Sequence, residues 1–167
     1  MPVLGRPLLE YWIVLLKSAG IKRIFINVHH LADQIIEMVS AIKDNDIENL
    51  HVYRGDAIEI VEEYFSNNIL DEILIFFPDP WPKRKHKKRR ILNQFSLELF
   101  LSKLKNNGII HFATDHINYA YTVKDLMTSY TKKKISFNNN RRFRPITNYE
   151  VRGLKRNNFF FDIVLEK

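Results

Sequence analysis

Apolar positions Leu8, Leu9, Trp12, Leu15 and Leu16 recur at helical spacing, and Gly20 stops the helix they predict. The short β-rich run RIFINV predicts a strand over 23–28. Ile35, Ile36 and Val39 share one face of a second helix over 31–42. LHVY predicts a strand over 50–53. A helix over 57–65 follows, with Asp56 and Glu59 spaced as a capping box. The run 72–77 is unbroken in apolar character after Glu72, the pattern of a strand buried on both faces. Residues 92–104 form an amphipathic helical pattern closed by Asn106-Asn107-Gly108. A strand over 109–113, a helix over 117–130, a strand near 134–137 and a last strand over 159–165 complete the pattern.

Strand and helix alternate through most of the chain, which predicts an α/β fold with a mainly parallel sheet. With no helix expected before Phe159, the last strand reads as an antiparallel addition. The stretch 138–158, rich in Asn and Arg, reads as a functional or mobile loop.

This pattern places three carboxylates at strand ends: Asp56, Asp79 and Asp115. In open α/β sheets ligands bind outside the carboxyl ends of the strands. All three are therefore expected to rim one cleft. Asp56 and Asp115 each have a second reading, as the cap of the helix that follows. Asp79 is different. Pro78, Pro80 and Pro82 restrict the backbone around it, as suits a side chain held in one position.

Charge sharpens the picture. The chain carries 26 Lys+Arg against 19 Asp+Glu, a formal +7. Seven of the cations lie in 83–90, and outside that block the signs balance. One concentrated patch four residues after Asp79 points to a polyanion, or to a solvated basic loop. Trp81 either stacks on a base or plugs the core. The 167 residues suffice for one compact domain. The absence of cysteine excludes disulfides, thiolate metal sites and cysteine nucleophiles. The six histidines show no ligand spacing, His29 and His30 being adjacent, so no metal is expected. With no apolar run near the ~20 residues that span a bilayer and no signal-peptide pattern at the start, a cytoplasmic protein without membrane association is expected.

The run Phe77-Pro78-Asp79-Pro80-Trp81-Pro82-Lys83, followed by His86-Lys87-Lys88-Arg89-Arg90, resembles the signature of the tRNA guanine-N7 methyltransferases. The resemblance extends back through Asn49-Leu50-His51-Val52-Tyr53-Arg54-Gly55-Asp56-Ala57 and forward to Ala113-Thr114-Asp115 with Tyr119-Ala120. It also takes in Thr147-Asn148-Tyr149-Glu150 with Arg152-Gly153. It covers about 44–167. It implies a Rossmann-like class I methyltransferase fold, S-adenosylmethionine as methyl donor and a guanine in the tRNA variable loop as substrate. By the same resemblance Asp79 would be catalytic, and Asp56 and Asp79 would contact the donor. Lys83, Asp115, Thr147, Asn148, Tyr149 and Glu150 would contact the substrate. Arg84, Lys85, Lys87, Lys88, Arg89 and Arg90 would face the phosphates of tRNA.

The family's glycine-rich turn and the acid ending its second strand have no counterpart. The five glycines lie 15 or more positions apart, and Asn27 and His29 stand at the end of the 23–28 strand. Residues 2–39 resemble instead an internal piece of a sugar-phosphate nucleotidyltransferase. The chain is thus expected to be a chimera joined near 36–48, with a fragment over 1–43 and a methyltransferase-like region over 44–167. Three functions follow: a methyltransferase with weakened donor contacts, an RNA-binding protein without catalysis, or a nucleotidyltransferase fragment.

Overall fold

The computed structural model describes residues 2–3, 6–18, 20–28, 32–43, 50–132, 134–137, 141–142 and 144–167. His29, His30 and residues 44–48 of the expected 36–48 join lie outside the described residues. The chain divides into two compact units, residues 1–63 and 64–167.

In the first unit, the two-residue strands β1 (Pro2–Val3) and β2 (Arg6–Pro7) pair antiparallel ahead of helix α1 (Leu8–Ser18). Gly20 follows at φ +75, a left-handed turn that ends the helix. Strand β3 (Ile24–Val28), helix α2 (Ala32–Lys43) and strand β4 (Leu50–Arg54) form a βαβ crossover. The two strands pair in parallel, Ile24 opposite Leu50 through Val28 opposite Arg54. The core of this unit is Ile13, Ile24, Val39 and Leu50, with Leu9, Leu16, Ile26, Ile35 and Val52 packed against it. These residues carry the helical and strand periodicities of the sequence, and burying each such side chain contributes about 1.5–3 kcal/mol. Helix α3 (Ala57–Tyr64) leaves β4 through Gly55, whose φ of +154 favours glycine.

The second unit is built on a three-stranded sheet in the order β5-β6-β7. Strand β5 (Leu70–Phe76) pairs in parallel with β6 (Leu104–Thr114), and β6 pairs antiparallel with β7 (Phe161–Glu166). The antiparallel C-terminal strand is therefore present as expected. Unbroken burial belongs to central β6 rather than to β5. Ile110, His111, Phe112, Ala113 and Thr114 are all buried, whereas in β5 only Ile75 is buried. Helix α4 (Gln94–Lys103) is capped by Asn93 and Ser96 in a reciprocal capping box, and buries Leu97, Phe100 and Leu101. Helix α5 (Ile117–Thr131) buries Tyr119, Ala120, Val123 and Met127.

Two expectations fail here. Residues 134–137 form no strand. The expected helix-free stretch before Phe159 holds helix α6 (Asn148–Leu154), opened by a capping box between Thr147 and Glu150. Among the described residues, no helix is long and apolar enough to cross a membrane.

Candidate nucleic-acid interface and methyl-transfer site

Strand β5 delivers Asp79 and strand β6 delivers Asp115 from the same end of two adjacent parallel strands. Phe76 sits opposite Ala113, and the Phe77 amide still donates to the Ala113 carbonyl at 2.8 Å. Past that bond the backbone bends sharply. Phe77 and Trp81 both adopt left-handed conformations, at φ +51 and +39. Bulky residues rarely occupy this region, and such strain persists only where the surroundings enforce it. Two strained residues thus bracket Pro78, exposed Asp79 and Pro80, and the proline rings limit the backbone between them.

The basic block forms a single 3₁₀ segment, η1 (Arg84–Arg89). Three residues per turn align 84 with 87, 85 with 88 and 86 with 89. Lys83, Arg84, Lys85, Lys87, Lys88 and Arg89 are exposed, and none forms an ion pair with another described residue. Trp81 is half-buried, with the Arg89 guanidinium 5.0 Å from its ring centroid and the His86 ring edge-on at 5.8 Å.

Arg90 departs from the rest of the block. It is 4% exposed, its Nε donates to the Pro80 carbonyl at 2.8 Å, and its guanidinium lies over the Tyr119 ring at 4.4 Å. It braces the Asp79 loop against α5 instead of facing solvent. Burial pushes the Tyr119 phenol above its ordinary pKa.

Asp56, in the first unit, is exposed and caps α3, its Oδ1 accepting from the amides of Ile58 at 2.8 Å and Glu59 at 3.4 Å. Asp115 does not cap α5. That place is taken by His116, whose Nδ1 accepts from the Tyr119 amide at 3.2 Å. The Asp115 Oδ2 accepts instead from the Tyr149 hydroxyl. Asn27 stands on β3 where an acid was sought, and its amide donates to the Gly55 carbonyl at 3.2 Å.

The segment expected to be loose is anchored by buried charge. Arg144 is 4% exposed and grips Asp162 with Nε at 2.9 Å and Nη2 at 2.8 Å. Its Nη1 lies 2.9 Å from both oxygens of Glu150. Arg141 also donates to Glu150, and Arg142 pairs with Glu72 on β5. His111 Nε2 lies 2.8 Å from Asp162 Oδ1. Burial alone raises the carboxyls of Asp162 and Glu150. For Asp162 the hydrogen bonds from His111 and Arg144 outweigh it, and for Glu150 those from Arg141, Thr147 and Arg144 do; both end below the usual carboxylate range. Burial depresses Arg144, but the same two carboxylates outweigh it and hold the guanidinium above its ordinary value.

Thr147 and Glu150 therefore point inward, while Asn148 and Tyr149 are exposed. Sequence reasoning missed His111, Arg141, Arg144 and Asp162. The signal was present in His111 and Asp162, single polar residues inside the apolar strands GIIHFAT and FDIVL, which burial obliges to find partners. Among the described residues no group of three or more His, Cys, Asp or Glu could hold a metal ion.

A family model described as "Putative methyltransferase" matches residues 13–163. A tRNA (guanine-N(7)-)-methyltransferase of Francisella philomiragia is 40% identical over 129 residues, covering 75% of this chain and 56% of that protein. Its counterpart in Francisella tularensis subsp. novicida is 34% identical over 167 residues, covering 98% of this chain and 67% of that protein. This chain thus spans between about half and two thirds of the length of these curated relatives. A chain of the solved complex between the Haloferax volcanii Trm112 methyltransferase activator and a methyltransferase matches in fold alone. Its TM-score is 0.51 at 14% identity, over 93% of this chain and 76% of that one. The family match starts at residue 13 and the F. tularensis alignment runs through the N-terminal region, so the reading of residues 2–39 as an exchanged nucleotidyltransferase piece is not supported. The chain belongs to this methyltransferase family, whose curated relatives named here are tRNA (guanine-N7)-methyltransferases.

Proposed function

We propose that the chain takes part in S-adenosylmethionine-dependent methylation of guanine N7 in tRNA. The observation that carries this reading is the Asp79 loop, held in a strained conformation and followed by six exposed cations that form no ion pair with a described residue. A fixed carboxylate beside a polyanion rim suits an enzyme that must place one base of a nucleic acid. Lys83 to Lys85 and Lys87 to Arg89 face the phosphates in this reading. Lys83, Asp115, Asn148 and Tyr149 lie toward the substrate, and the buried Thr147–Glu150 box shapes the start of α6 behind them. Arg90 acts from inside, on the loop.

For the donor, Asp56 spends one oxygen on the α3 cap and keeps Oδ2 for a ligand's donor group. Asp56 and Asp79 are the proposed donor contacts. S-adenosylmethionine, when bound, supplies a methyl group carried on a sulfonium. Guanine N7 presents a lone pair at neutral pH, so no base need remove a proton. Asp79 is assigned to orientation and electrostatics. Asp79→Asn should then lower the single-turnover rate at unchanged tRNA affinity, and a near-wild-type rate would remove it from the chemistry.

Retention of RNA binding without catalysis is the second reading. It is favoured by the neutral Asn27, whose amide is already engaged. Calorimetric titration with S-adenosylmethionine, followed by a methyl-transfer assay on tRNA, separates the two. Donor binding with turnover supports the enzyme. Salt-sensitive tRNA binding without donor binding supports the second reading. Absence of both sinks each.

A further inference from the structure

We infer that Tyr149 is a positioning residue, whose hydroxyl holds the Asp115 carboxylate in the orientation that receives the substrate. The role rests on the substrate-side reading of Asp115 given above, and goes beyond it by naming what fixes that carboxylate.

Asp115 immediately follows β6, at a position where an aspartate ordinarily turns back to cap the next helix. His116 does that work here, and Thr114 Oγ1 accepts the His116 amide at 3.2 Å. The Asp115 carboxylate is thereby left to side-chain partners. Its Oδ2 accepts from the Tyr149 hydroxyl, from 34 residues further along the chain. A phenol donor on one oxygen leaves Oδ1 available for an N–H of the substrate and restricts how the group turns.

The Tyr149 ring is seated independently of its hydroxyl. It meets Phe77 edge-on at 5.6 Å and Phe160 at 6.0 Å. Phe77 is the strained residue that starts the Asp79 loop. One side chain therefore touches the root of that loop with its ring and the end of β6 with its oxygen. The hydrogen bond to Asp115, then burial, pushes the phenol up to about 12, so it remains a donor throughout the neutral range.

The ring contacts make the test clean, because Tyr149→Phe keeps them and removes only the hydroxyl. Using the full chain and unmodified tRNA, KM and kcat are measured for the wild type, Tyr149→Phe, Asp115→Asn and the double variant. Expected is a rise in KM of about threefold to tenfold for Tyr149→Phe with kcat changed less than about twofold. The double variant should be no worse than Asp115→Asn, since the hydroxyl acts through that carboxylate. In parallel, ultraviolet titration of the wild type and of Tyr149→Phe should differ by one high-titrating tyrosine, and Asp115→Asn should bring that tyrosine back toward its ordinary range.

Wild-type KM in Tyr149→Phe, or additive losses in the double variant, overturns the positioning role while leaving the function intact. An unchanged KM with only a lowered melting temperature assigns the hydroxyl to stability alone and overturns the role equally. A chain that methylates no tRNA at all overturns the function, and this role with it.

Discussion

Arg144 shows how one residue can decide the state of several others. It satisfies two buried carboxylates at once and lies 5.1 Å from the Phe77 ring centroid, at the root of the Asp79 loop. Replacing it with leucine leaves Asp162 and Glu150 buried and short of a cation, a change that costs about 3–5 kcal/mol. The midpoint of urea denaturation should fall accordingly, and an unchanged midpoint would refute the network as a stabilising unit. The same carboxylates set a pH dependence. Both titrate lower in the folded chain than their ordinary values of 3.8 and 4.5. The native state then binds fewer protons than the unfolded state in acid. Their contribution is complete above those ordinary values and is lost as pH falls through the folded ones. Asp162→Asn should therefore melt lower than wild type at neutral pH, and the gap should narrow in acid. A gap that stays constant would show that Asp162 does not titrate in this way.

At the scale of elements, α6 is the part the chain's pattern hid. Asn148 to Leu154 has little apolar periodicity and lies in a stretch rich in Arg and Asn. The helix forms because Thr147 and Glu150 cap it reciprocally, and because buried Arg144 and half-buried Arg141 hold Glu150 in its first turn. Its docking is tight at Gly153, where an added Cβ would fall 2.5 Å from Phe160 Cζ. Alanine is the better helix former, yet Gly153→Ala should destabilise the chain by about 1–3 kcal/mol through this overlap. Thermal melting decides the matter, since a variant of higher melting temperature would show that the helix shifts freely. The 3₁₀ segment η1 makes the opposite case. Its residues bury little, so its sequence is free to be almost wholly cationic.

At the scale of the whole molecule, the +7 charge is concentrated in one segment, six of whose seven cations are exposed. If that segment meets phosphates, the affinity for tRNA should fall steeply with salt. Changing Arg84, Lys87 and Lys88 together to glutamine should lower the slope of log affinity against log salt by about 0.7–0.9 per cation lost. The melting temperature should hold, because these side chains are exposed and pair with no described acid. Arg90→Gln should behave in reverse, losing stability while keeping the slope. A drop in slope for Arg90→Gln would return that residue to the phosphate-facing set.

Local pattern along the chain sufficed for the alternation of strands and helices, the basic block and the prominence of Asp79, whereas the antiparallel last strand was expected from a helix-free approach that α6 interrupts. The first three are local properties: periodicity follows from which faces are buried, and the prolines around Asp79 constrain the backbone whatever surrounds them. The cap reading offered equally for Asp56 and Asp115 held for Asp56 alone, since His116 takes that place at α5. Tertiary structure alone decided which charges face water. Arg90 and Arg89 are neighbours of the same type, yet one packs on Tyr119 beneath the loop and the other lies over Trp81 at the surface. Arg141, Arg142 and Arg144 looked like part of a loose basic loop and proved to be paired with acids from β5, α6 and β7. Whether a guanidinium meets a phosphate or a buried carboxylate depends on partners up to 70 positions away, and no local pattern encodes that distance. For the same reason Asp115 and Tyr149 were each legible as candidates, while their hydrogen bond emerged only when α6 packed beside the end of β6.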